Sequence, residues 1–125
     1  LKVSNIKRGI FMSVTLVLNG GIKSCCSVTP TEVVKNSVRA WLPEEVDLKV
    51  IDITTEPYEL SGLAATAEKY FKEKVYPLVF VKDQLAMIGG VPNKKELLGM
   101  VKGDIEFGIT ENDIIQAAKS LGYAE

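Results

Sequence analysis

The run Val14-Thr15-Leu16-Val17-Leu18 limits the fold more than any other stretch of this chain. It is short, β-branched and apolar but for one residue, and it stops at Asn19-Gly20-Gly21. A strand covered on both faces has that pattern. After a loop, Val34, Val38, Trp41 and Leu42 recur at i, i+4, i+7 and i+8, one face of a helix. Leu42-Pro43 ends it, because the residue before proline is pushed out of the α region. Residues 46–53 then form a second strand whose alternation turns apolar toward its end. Two strands joined by a helix pair in parallel through a right-handed crossover.

The remaining segments complete the order. Thr54 or Thr55 precedes a helix that Pro57 helps to start and that carries Leu60, Leu63, Ala67, Tyr70 and Phe71 despite Gly62. Tyr76-Pro77-Leu78-Val79-Phe80-Val81 is a third strand with proline at its opening, where a missing N–H does least harm. Lys82-Asp83-Gln84 turns the chain into residues 85–88, a strand hairpin-paired to the third and ended by Gly89-Gly90. Asn93 to Glu96 is a capping box for a helix carrying Leu97, Leu98 and Val101, closed by Gly103. Thr110 caps a last helix expected to bury Ile114, Ile115, Ala118 and Leu121. The order is βαβαββα with an extra C-terminal helix: an α/β fold with a mixed central sheet and helices on both faces. The first two strands should run parallel, with the third antiparallel to the first.

At 125 residues the chain has the length of one domain. Residues 13–125 form that domain, and residues 1–12 are a leader, with Met12 an alternative start. Lys7-Arg8 and the apolar run after them resemble a signal peptide faintly. Ser13 and Thr15 interrupt that run, and its removal would delete the strand ahead of the cysteines. A net charge of −1 gives no electrostatic reason for nucleic acid or an acidic membrane as partner. The absence of histidine excludes a Ser-His-Asp triad, a Cys-His dyad and His-ligated metals from this chain alone. Two adjacent cysteines fit neither a one-chain structural zinc site nor the disulfide framework of a secreted mini-protein, so the cytoplasm is the expected compartment.

Those cysteines stand in Lys23-Ser24-Cys25-Cys26, between the first strand and the first helix. Thr29-Pro30-Thr31-Glu32 reads as a capping box, which puts the thiols just before or within the helix's first turn. Unpaired N–H groups there, together with Lys23, favour a thiolate. Successive side chains point in different directions, so the two sulfurs should be unequal: Cys25 outward and attacking, Cys26 inward. A vicinal Cys25–Cys26 disulfide would close a small strained ring and be easily reduced. The alternative is one active cysteine resolved by another molecule's thiol. Asp52, at the end of the second strand, is a solvated strand end or a buried carboxylate near the thiols. Trp41, Tyr70 and Phe71 have core spacing. Residues 104–107, with the final helix, either cover a sheet face or carry an interface.

The element order, a cysteine loop after the first strand, and Tyr76-Pro77-Leu78-Val79-Phe80-Val81 followed by Met87-Ile88-Gly89-Gly90 together resemble the thioredoxin superfamily, with glutaredoxins the nearest local match. The resemblance covers roughly residues 13–102. It implies a thioredoxin-like three-layer sandwich with Cys25 and Cys26 as catalytic residues. It also implies a cis-proline at Pro77 against the cysteine loop, and a Tyr76 backbone that hydrogen-bonds an extended thiol substrate. Lys23, Gly89 and Gly90 complete the implied substrate surface. No resident cofactor is implied. Glutathione is the small thiol the family holds at its Gly-Gly turn, but here Val91-Pro92 stands where small polar residues usually help. The loop also departs from Cys-x-x-Cys: aligned on Pro30, Lys23 fills the usual nucleophile position when Cys26 is taken as the resolving cysteine.

Three functions remain open on these residues. One is a thiol-disulfide oxidoreductase acting on a protein or small-thiol partner. Another is a non-catalytic binding module of the same fold, carrying a soft metal or an iron–sulfur cluster between subunits. The third is a fold whose cysteines are merely tolerated.

Overall fold

Val14, Leu16, Val17 and Leu18 are all at most 1% exposed, because the strand they form is covered on both faces and paired on both edges. The computed structural model describes residues 13–23 and 27–123. In chain order these form β1 (Ser13–Leu18), β2 (Ile22–Lys23), β3 (Val28–Thr29), α1 (Thr31–Trp41), β4 (Asp47–Asp52) and α2 (Gly62–Phe71). A 3₁₀ turn (Lys72–Val75) follows, then β5 (Leu78–Val81), β6 (Gln84–Ile88), α3 (Lys94–Lys102) and α4 (Glu111–Ser120). The expected leader, residues 1–12, lies outside the described residues.

The main sheet has the order β4-β1-β5-β6. β1 runs parallel to β4, with Leu18 opposite Asp52, and antiparallel to β5, with Val17 opposite Leu78. β5 and β6 form the expected hairpin. Its two-residue turn holds Lys82 at φ +55° and Asp83 at φ +65°, the paired positive angles of a type I′ turn, whose twist matches the flanking strands. The fold is mixed α/β, with a four-stranded mixed sheet and four helices among the described residues.

Alternation along β1 divides the core in two. Val14, Leu16 and Leu18 pack with Val34 and Val38 of α1 and with Leu97 and Val101 of α3. Val17 packs on the other side with Ala64, Ala67 and Phe71 of α2 and with Ile114 and Ala118 of α4. Trp41, half-buried, packs against the first cluster, and Tyr70 against the second. None of the helices among the described residues is long and apolar enough to cross a membrane.

Local polar chemistry fixed some boundaries and moved others. Asn93 and Glu96 form the expected capping box, with the Glu96 N–H donating to Asn93 Oδ1 at 2.8 Å. Thr110 and Asp113 form a second one. At α1 the expected box does not form: Thr29 is in β3, Pro30 holds the cap position, and no side chain caps the helix. The chain instead bends into a two-stranded β2–β3 ladder that the apolar pattern does not reveal. α2 starts at Gly62, well beyond Thr55, because residues 54–56 are tied into a turn on Asp52. Leu121, expected inside, is 65% exposed, since α4 has ended at Ser120.

Large-to-small substitutions should expose this division. Leu16→Ala should cost about 2–5 kcal/mol by urea denaturation, the range for a fully buried leucine. Leu121→Ala should stay within about 0.5 kcal/mol of the parent, as exposed substitutions do.

Candidate functional site at the loop after β1

Cys25 and Cys26, with Ser24, lie outside the described residues, so the site is built from what flanks them. Gly21 stands at φ +92°, and a Cβ there would run into the Thr29 carbonyl oxygen. Only glycine lets β1's exit close against β3 at this point. Lys23 is exposed on β2 and Ser27 is exposed beyond the gap. α1 begins at Thr31, and residues 27–30 intervene between Cys26 and the helix. The expectation that the thiols sit just before or within the helix's first turn falls on residues outside the described ones.

The five expected substrate-surface residues come together. Lys23, Tyr76, Pro77, Gly89 and Gly90 line one cleft of about 370 Å³, joined by Asn19 and Gly21 on the loop side. The Tyr76–Pro77 peptide bond is cis, and Pro77 is buried. Its carbonyl accepts from the Gly89 N–H at 2.9 Å and the Gly90 N–H at 3.2 Å, while Gly89 N–H also donates to the Val75 carbonyl at 2.8 Å. Gly89, at φ +77°, makes this close wrap possible. The Tyr76 N–H donates to Glu73 only at 3.4 Å, a weak bond. Burial, with the Glu68 and Tyr58 charges adding to it, pushes the Tyr76 phenol above its ordinary pKa, so it stays a neutral donor.

Glu73 and Lys74 also face the cleft. Sequence reasoning missed both, because they belong to a single 3₁₀ turn that leaves no periodic trace. Lys23 and Glu73 are charged residues of the cleft's lining, Gly89-Gly90 forms a wall of backbone, and the Lys74 ammonium donates to the Tyr123 hydroxyl, which is not part of that lining.

Asp52 holds the loop in place. Its Oδ1 accepts from the Gly20 N–H at 3.0 Å, the Thr54 N–H at 2.9 Å and the Thr54 hydroxyl at 2.6 Å. Its Oδ2 accepts from the Thr31 hydroxyl at 2.5 Å. Burial works to raise this carboxyl's pKa, but the four hydrogen bonds outweigh it and bring it from 3.8 down to about 2. One carboxylate joins the exit of β1, the start of α1 and the turn after β4. It is neither a solvated strand end nor fully buried. The Asp-x-Thr spacing was a visible signal for the local part of this tie.

Among the described residues there is no group of three or more Cys, His, Asp or Glu placed to hold a metal ion. Comparisons with protein-family models, with curated proteins and with solved structures found no match to this chain.

Because the folded pKa of Asp52 lies below the unfolded one, its contribution is complete above about pH 4 and is lost as pH falls through about 2. With solvent screening at this half-buried position, about 1 kcal/mol is expected from the charge. Asp52→Asn should therefore be less stable than the parent by about that amount at pH 7. The gap should close between pH 4 and pH 2 in urea titrations; a gap that stays constant would mean the charge is irrelevant. Gly21→Ala should cost about 1–3 kcal/mol at every pH, from the left-handed backbone and the Thr29 contact.

Proposed function

We propose that this chain is a thioredoxin-like thiol-redox protein, working through Cys25 and Cys26. The observation that carries this reading is the meeting of three distant segments in one cleft: the loop leading to the cysteines, Tyr76-Pro77, and Gly89-Gly90. That is the arrangement the glutaredoxin resemblance implies for a thiol substrate. The element order and the mixed sheet are compatible with the same fold.

In the proposed reaction a cysteine thiolate attacks one sulfur of a partner's disulfide, forming a mixed disulfide and releasing the other partner sulfur as a thiolate. A second thiol then attacks the mixed disulfide on the sulfur of this chain and frees the remaining partner sulfur. That second thiol is the neighbouring cysteine or an external small thiol. Two electrons pass to the partner, and a small-thiol reductant restores the dithiol. Lys23, on β2 and two residues ahead of Cys25 in the chain, supplies the positive charge that favours a thiolate. Tyr76, Pro77, Gly89 and Gly90 shape the wall along which the partner lies.

Alkylation by iodoacetamide over a pH series should show one thiol, Cys25, reacting with a midpoint well below 8.5, the value of a free cysteine. Cys25→Ser should abolish reduction of a mixed disulfide, whereas Cys26→Ser should keep it where an external thiol resolves the intermediate. Two slow thiols with ordinary pKa values would remove the basis for this chemistry.

A further inference from the structure

On the far side of the 3₁₀ turn lies a second cavity of about 410 Å³, within the range of small-molecule sites, about 300–1,000 Å³. It runs between β6 and α4. Its floor is apolar: Phe71, Met87, Ile88, Ile109 and Ile114. Asp113 lines one end of its α4 wall and Leu121 the other, a helical run of about 12 Å, roughly the reach of a ten-carbon chain.

Its polar groups are unevenly placed. At the Leu121 end, Lys74 Nζ donates to the Tyr123 hydroxyl at 2.8 Å and sits 5.3 Å from that ring's centre, while the ring packs edge-on against Phe71. A lysine that donates to a phenol oxygen leaves ammonium N–H groups, and the phenol O–H, free to donate further. Tyr123, followed by the charge of Glu73, raises the Lys74 pKa, so the ammonium stays charged. At the other end the Asp113 carboxylate is engaged with the Thr110 N–H in the α4 cap. The lip thus offers hydrogen-bond donors and a positive charge above an apolar slot, with Asp113, the carboxylate of the groove's own lining, at the opposite end.

We infer that this groove binds a medium-chain aliphatic carboxylate, its head held by Lys74 and Tyr123 and its chain lying along the slot beneath α4. The charge order fixes the orientation, since the reversed ligand would set its carboxylate against Asp113. The groove shares Lys74 with the cleft's lining, but its ligand takes no part in the cysteine chemistry.

Decanoate is the probe, with decanol and decyltrimethylammonium as charge controls, followed by calorimetry and by backbone-amide NMR shifts. Decanoate should bind with a dissociation constant on the order of 0.1 mM, shifting residues 86–88 and 113–123. Each pair of methylenes removed should weaken binding about tenfold. Lys74→Met should weaken decanoate about tenfold and leave decanol unchanged. Ala117→Phe, at an exposed helix position that lines the slot, should abolish binding of both; Ala117→Leu serves if the larger residue unfolds the chain. Failure to saturate by about 5 mM, equal affinity for the cationic control, or decanoate binding untouched by the Ala117 variants would each overturn the proposal. So would self-association that Ala117→Phe dissolves, which would make a second copy of the chain the occupant of the groove.

Discussion

The structure depends on β1 being paired on both edges and covered on both faces at once. Once an apolar strand occupies that position, its register sets where everything else ends. Leu18 lies opposite Asp52, Val17 opposite Leu78, and Leu78 opposite Ile88. The residues just past those positions, Asn19, Ile53, Pro77 and Gly89, therefore emerge along one end of the sheet. In α/β proteins the crevice at the carboxyl ends of parallel strands is where ligands gather, because strands stop and loops diverge there. The cleft holding Lys23, Tyr76, Pro77 and Gly89-Gly90 follows from sheet register before any question of chemistry arises.

Asp52 adds a polar constraint to that apolar one. The backbone N–H groups of Gly20 and Thr54 and two hydroxyls, from Thr31 and Thr54, converge on a single carboxylate. Hydrogen bonds to a charged group are stronger than neutral ones, and here they overcome the cost of partly withdrawing the charge from water. The result is a fixed departure point for the loop that carries the cysteines. The same preference for turn hydrogen bonds delays α2, since residues held on Asp52 cannot enter a helix.

The 3₁₀ turn at residues 72–75 separates two cavities of different character. Lys74 lines both, while Glu73 lines the polar cleft and not the apolar groove, and Phe71 the groove and not the cleft. The turn is anchored by the Gly89 N–H bonded to Val75, and by Val75 itself, which is fully buried. A small element thus joins the proposed thiol site to a surface on the other face of the sheet.

By themselves, residues 14–18, 46–53, 78–81 and 85–88 read as strands, and the spacing of Val34, Val38, Leu97 and Val101 specified helix faces, because side-chain periodicity is a local property of the backbone. Asn93-Glu96 and Thr110 were legible as caps for the same reason. Thr29-Pro30-Thr31-Glu32 had the same local form, yet no cap forms there. Thr31's hydroxyl found a carboxylate 21 residues away, and Thr29 joined a ladder with Ile22. Lys23, Tyr76, Pro77, Gly89 and Gly90 could be named from the sequence through a resemblance. Glu73, Lys74 and the fourfold role of Asp52 could not. Those depend on which segments meet across the end of the sheet, and only the packing of two cores around β1 decides that.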